Sequence, residues 1–204
     1  MGEYQLQVKS FKPAAASTTS VAAAQTLGGA GDMTLAGTAA TFAGTNTVAL
    51  ITLTSSGNIS GVNFTITGTD ANGAVQSETI AGPNANTVST TKYFATVTQI
   101  AASGAVGTNT SAGNSAETAG VIFAGANRVK GAQITTGGTI GDVSFALGSP
   151  TGDVLFFYTV ATTTKDYIEP YIPDAGILFR KNSTLRSYIK MPAGTVTSAT
   201  VYYG

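Results

Sequence analysis

Residues 68–79, GTDANGAVQSET, place Asp70, Asn72 and Gly73 as the start of an acidic calcium loop does. A loop of the EF-hand kind needs about six oxygen ligands at alternating positions, a glycine at the sixth and a bidentate glutamate at the twelfth. Counted from Asp70, the glycine comes fourth and the twelfth residue is Ala81, so the spacing fails. Asn-Gly between alternating apolar residues signals a tight hairpin instead, since both residues tolerate positive φ. AGPNANT (81–87) reads the same way, with Pro83 fixing one φ and Asn84 and Asn86 free to cap their own backbone.

Carboxylates are the remaining acid–base groups. Asp166, Glu169 and Asp174 lie close in sequence, and paired carboxylates are how glycosidases protonate a leaving group and assist water. Pro170 and Pro173 make this stretch extended and kinked, and Lys165, Arg180 and Lys181 are at hand as ion-pair partners, the commoner use of such side chains. The chain has no His and no Cys, which removes structural zinc sites, thiol nucleophiles and the Ser-His-Asp triad. LGGAGD (27–32) is glycine-rich but lacks the Lys-Ser/Thr pair of a phosphate loop. The expectation is therefore no catalytic, metal or cofactor residue and no enzymatic activity.

Ten basic and ten acidic side chains cancel across 204 residues. A neutral chain carries no electrostatic footprint for duplex nucleic acid or an anionic membrane, and neither is expected as a partner. The opening MGEYQLQVKSFKP has charges at Glu3, Lys9 and Lys12 and no apolar run, so it does not read as a signal peptide. Leu6 stands where a myristoylation signal wants Ser or Thr.

The elements that would hold any site are strands. From Val48 onward, β-branched and aromatic residues recur with period two between Gly, Asn, Asp and Pro. VALITLT (48–54), VNFTIT (62–67), AVQSETI (74–80) and YFATVTQIA (93–101) are the first four expected strands, with Val62, Phe64 and Ile66 on a buried face. Residues 13–46 are rich in Ala, Gly, Ser and Thr and read as an arm, either a flexible leader or a segment ordering against a neighbouring subunit. A short helix over Ala14–Gln25 is interrupted by Ser17, Thr18, Thr19, Ser20 and Val21.

Sliding the chain by 81 residues lays VALITLTSSGNISGVNFTI (48–66) over VKGAQITTGGTIGDVSFAL (129–147), matching Val48 with Val129, Val62 with Val143 and Phe64 with Phe145. GTDANGAV (68–75) then lies over GSPTGDV (148–154), and ATVTQIAASG (95–104) resembles GTVTSATVYYG (194–204). The expected fold is all-β: two tandem, related small antiparallel β domains of sandwich or jelly-roll/barrel type, preceded by an extended N-terminal arm. The boundaries are 1–46 for the arm, 47–102 for the first domain, 103–126 for a linker of Ser, Gly, Thr and Asn, and 127–204 for the second domain.

The second domain holds six of the eight tyrosines, and residues 165–190 carry eight of the twenty charged side chains. Aromatic, arginine and aliphatic residues together are typical of interface centres. The candidate interface set is Tyr167, Ile168, Tyr171, Phe179, Arg180, Lys181, Arg186 and Tyr188, read against the alternative that its rings fill the second core and its charges are a solvated rim.

SGVNFTITGTDANGAVQSETIAGPNANTVSTTKYFATVTQIAASGA (60–105) and IPDAGILFRKNSTLRSYIKMPAGTVTSATVYYG (172–204) resemble the structural proteins of tailed-bacteriophage virions, most of all capsid decoration (cement) proteins. The resemblance implies a non-enzymatic protein, assembled in the host cytoplasm, that binds the outer capsid surface and bridges major capsid protein subunits. It supplies no catalytic residues. Homo-oligomerisation is expected, because the aromatic segment is hard to bury in domains of this size. The alternatives are a tail, baseplate or fibre component and a carbohydrate-binding adhesin, the latter with Tyr167, Tyr171, Tyr202 or Tyr203 as stacking platforms.

Overall fold

The computed structural model describes residues 6–125, 127–161, 163, 164, 166–179 and 185–204. They are built from antiparallel strands, with a single 3-10 turn at Gly37–Ala40 and no α-helix among them. The chain divides into two compact units, one made of residues 15–43 and 48–116, the other of 1–14, 44–47 and 117–204.

In the unit of residues 15–43 and 48–116, Val48–Ser55 lies between Thr87–Phe94 and Val106–Ala124, and Ser17–Leu27 pairs with the latter. A second sheet runs in the order Gly31–Asp32, Thr96–Ala102, Asn63–Thr69, Val75–Ala81. Alternation puts Phe64, Ile66 and Ile100 of one sheet and Ile51, Leu53 and Val21 of the other into one apolar cluster. Phe64 and Ile66 are buried as expected, while Asn63 stays exposed.

In the other unit one sheet is ordered Tyr167–Ile168, Asn127–Thr136, Val196–Tyr203, Gln7–Pro13, Gly44–Thr45, with Ile177–Phe179 also paired to Asn127–Thr136. The other is Asp153–Val160, Gly141–Leu147, Arg186–Pro192 and the part of Val106–Ala124 from Glu117 onward. Phe11, Ile134, Ala199 and Val201 meet Val143, Phe145, Ile189 and Met191 in the second apolar cluster.

Four expectations are corrected. The described residues 6–46 of the segment read as an arm are folded into both units: Phe11 is 1% exposed, and Val21, Ala22 and Phe42 are buried. The helix considered over Ala14–Gln25 is the strand Ser17–Leu27, because its small side chains pack flat against a neighbouring strand, which outweighs alanine's helix preference. The linker assigned to 103–126 is largely the strand Val106–Ala124, with Thr110, Ala112, Asn114, Thr118 and Ala119 buried. Its polar side chains are admissible inside because they are satisfied: Ser20 Oγ donates to Asn114 Oδ1 at 2.7 Å, and Asn114 Nδ2 donates to the Ala15 carbonyl at 2.9 Å. Among the described residues, no buried side-chain nitrogen or oxygen lacks a partner. Finally, the strand expected at 93–101 is two, Thr87–Phe94 and Thr96–Ala102, which break at Ala95 and join different sheets.

Each of the two aligned segments contains a strand followed by a hairpin, and their pairings then differ. Asn63–Thr69 with Val75–Ala81 and Gly141–Leu147 with Asp153–Val160 are hairpins whose loops, residues 70–74 and 148–152, have the same length. After that, Thr87–Phe94 returns to Val48–Ser55 and Thr96–Ala102 to Asn63–Thr69. In the other half the order is reversed: Arg186–Pro192 joins Gly141–Leu147, and Val196–Tyr203 joins Asn127–Thr136. The matching ATVTQIAASG and GTVTSATVYYG segments therefore occupy non-equivalent strands.

Candidate functional site

The loop that resembles a calcium site is closed by its own carboxylate. Asp70 Oδ1 accepts the backbone N–H groups of Asn72 at 2.7 Å and Ala74 at 3.0 Å, and Oδ2 accepts Asn72 Nδ2 at 3.2 Å. Gly73 alone in this loop takes positive φ, +78°, so the turn is wider than the two-residue Asn-Gly hairpin. Asp70 makes that width workable by capping the loop's N–H groups from inside. Asp70→Ala should lower stability by about 1 kcal/mol in urea titrations, with no change in the wild-type melting temperature on adding calcium.

The three clustered carboxylates do not converge. Asp166 Oδ1 accepts the Tyr167 N–H at 2.7 Å, Asp174 lies in the turn closed by Gly176 N–H on the Pro173 carbonyl, and Glu169 belongs to a separate network. Among the described residues, no three acidic side chains gather as metal ligands. The expected partners Lys165, Arg180 and Lys181 lie outside the described residues.

That network sits on the outer face of the sheet carrying Asn127–Thr136. The register sets Tyr202 opposite Gly131 and Val8, Thr200 opposite Gln133 and Ser10, and Thr135 opposite Tyr167. Period two turns these residues outward while Ala132, Ile134, Ala199 and Val201 fill the core. Tyr167 Oη donates to Glu169 Oε1 at 2.9 Å, Gln133 Nε2 donates to the same oxygen at 3.1 Å, and Tyr202 Oη donates to Gln133 Oε1 at 2.8 Å. The ionised carboxylate only accepts, which orients the Gln133 amide and in turn makes Tyr202 the donor. Desolvation first, then the hydrogen bond to Glu169 and its negative charge, raise the Tyr167 phenol from the ordinary tyrosine value.

A second surface lies on the same unit. Among the described residues, Asp153–Val160 is the end strand of its sheet and pairs with Gly141–Leu147 alone. Val154, Leu155 and Phe157 stand exposed along it, Phe157 at 61%. Phe157 is opposite Ser144, which is opposite Lys190, whose Nζ lies 2.7 Å from Glu117 Oε2. Among the described residues, every large apolar side chain that stands exposed belongs to this unit except Val75.

The candidate interface set separates. Tyr167 and Tyr171 are 52% and 80% exposed, but Ile168 packs against the core, and Phe179 is buried edge-on to Phe123 with ring centroids 5.5 Å apart. Tyr188 is buried. Arg186 is half-buried, and after burial itself its charge helps to hold Lys9 below the usual lysine range. Arg180 and Lys181 lie outside the described residues. Of the proposed stacking platforms, Tyr203 stacks on Phe123 at 5.3 Å and serves the core. Gln133 and Phe157 were missed by sequence reasoning. Their signal was weak: Gln133 alternates with Gly131 and Thr135 on a wet face, and Phe157 lies in the apolar run DVLFFYTV, which does not show which ring faces out.

No family model matches the chain, and no curated protein sequence is significantly similar to it.

Proposed function

We propose that this protein is a non-enzymatic structural component of a phage virion, bound to the outer capsid surface as a cement protein that bridges and stabilises major capsid subunits. In this reading its fold is two sandwich-type β domains, assembled onto the head in the host cytoplasm and acting in many copies. The observation that carries the proposal is the open strand Asp153–Val160 with Val154, Leu155 and Phe157 exposed. An apolar edge strand invites another chain unless something covers it, and strand addition supplies main-chain hydrogen bonds with little demand on sequence. The sequence resemblance to decoration proteins points the same way. Modest contacts repeated over a symmetric shell give strong retention through avidity.

The test is cosedimentation with expanded capsids and, separately, with isolated tails. Phe157→Lys should weaken capsid binding about thirtyfold or more, as expected for an aromatic anchor, while leaving the melting temperature unchanged because the ring is exposed. Binding to tails and not to capsids would replace the cement reading with a tail or fibre role. Capsid binding unaffected by Phe157→Lys would remove this strand from the interface.

A further inference from the structure

We propose that the outer sheet face formed by Tyr167, Glu169, Gln133 and Tyr202 is a binding site for a neutral glycan. The proposal is independent of the capsid surface along Asp153–Val160. Its basis is the donor and acceptor pattern left after the network has satisfied itself.

Glu169 Oε1 takes both internal donors, Tyr167 Oη and Gln133 Nε2, and neither bond uses Glu169 Oε2. Both phenol oxygens spend their proton within the network and keep acceptor lone pairs, and Gln133 keeps a second amide hydrogen. The face therefore offers a fixed carboxylate oxygen, two phenol acceptors and one amide donor. Neighbouring sugar hydroxyls fit this mixture, since each both donates and accepts. A guanidinium or ammonium group has only donors and would set the Gln133 N–H against a cation.

Stacking surface is present beside the polar groups. Tyr167 is 52% exposed, and Tyr202 faces Gly131 across the strand pair. A Cβ at position 131 would stand 3.6 Å from Tyr202 Cδ2, in ordinary contact with the ring that glycine leaves bare. Gly131 has no positive φ and follows the register shift between Val129 and Gly131, so the glycine both suits the irregular pairing and leaves the ring uncovered. The apolar C–H faces of a pyranose ring pack on such an aromatic surface while its rim hydroxyls reach the carboxylate and amide.

The experiment is affinity electrophoresis of the full chain through gels containing a soluble neutral glucan, mannan or galactan, with a polylysine titration followed by tyrosine fluorescence as a parallel arm. At least one polysaccharide should retard the wild-type chain. Tyr202→Ala and Glu169→Ala should raise the apparent dissociation constant at least tenfold. Gly131→Val adds only a strand-compatible side chain over the ring, so it should give a similar loss with an unchanged melting temperature. Tyr171→Ala, outside the network, should bind like wild type. Retardation by none of the three polysaccharides overturns the proposal, as does equal retardation of wild type and Gly131→Val. Polylysine binding that Glu169→Gln abolishes, without polysaccharide binding, reassigns the face to cations and also overturns it.

Discussion

Phe11→Ala should destabilise the unit of residues 1–14, 44–47 and 117–204 by about 3–5 kcal/mol, among the largest losses a single substitution in this chain can produce. Phe11 is 1% exposed and belongs to the same apolar cluster as Ile134, Phe145 and Ile189. Its strand, Gln7–Pro13, pairs with Val196–Tyr203 in the register Phe11 to Ala199. The ring also packs over Gly120, where an added Cβ would come 2.3 Å from the ring carbon Cδ1, so strand 106–124 was shaped around it. Truncation to alanine leaves a phenyl-sized void between backbones that cannot collapse, which puts the loss in the upper range for such changes. Urea unfolding at 25 °C measures it, and thermal unfolding should show a fall on the order of 15 °C for a unit of this size. An N-terminal arm that only decorates a finished domain would give a change near zero, so the experiment separates the two organisations of residues 1–46.

What the sequence showed and what it hid have the same physical origin. Val48–Ser55, Asn63–Thr69 and Val75–Ala81 were legible because large β-branched and aromatic side chains alternate with polar ones, and burial of one face demands that alternation. Ser17–Leu27 and Val106–Ala124 were illegible because both sides of that pairing are built from Ala, Gly, Ser, Thr and Asn. Small residues usually mark linkers, since they bury too little area to offset chain entropy. In this pair they pack tightly, with hydrogen bonds to Asn114 satisfying what burial would otherwise leave unpaired. The candidate site divides similarly. Tyr167, Glu169 and Tyr202 were visible as chemistry-bearing residues, but their convergence depends on Gln133, and only strand register brings residue 133 beside 169 and 202. A lone glutamine has no sequence signature. Phe179 and Tyr188 show the opposite failure, since composition cannot tell an interface ring from a core ring.

Gly113→Ala should cost about 3 kcal/mol, the upper end of what overpacking by a single methyl brings. A Cβ at position 113 would fall 1.8 Å from the Ser17 carbonyl oxygen and 2.7 Å from the carbonyl carbons of Ser17 and Thr18. These are backbone atoms of the neighbouring strand, and no rotamer change can move them away. The two strands must separate, and separation breaks what holds them. Ser17 pairs with Asn114, the Asn114 amide reaches the Ala15 carbonyl, and its carbonyl receives Ser20. Parting the strands by even one ångström strands a buried amide, which adds an unsatisfied polar group to the steric term. The change has no backbone component of its own, because Gly113 does not occupy the left-handed region. The effect should therefore be read in urea midpoints of the unit of residues 15–43 and 48–116, against Gly107→Ala on the same strand, whose added Cβ meets nothing within 4 Å. A flexible linker at 103–126 predicts no difference between the two substitutions. A buried strand in close contact with Ser17–Leu27 predicts a loss at 113 and none beyond about 0.5 kcal/mol at 107.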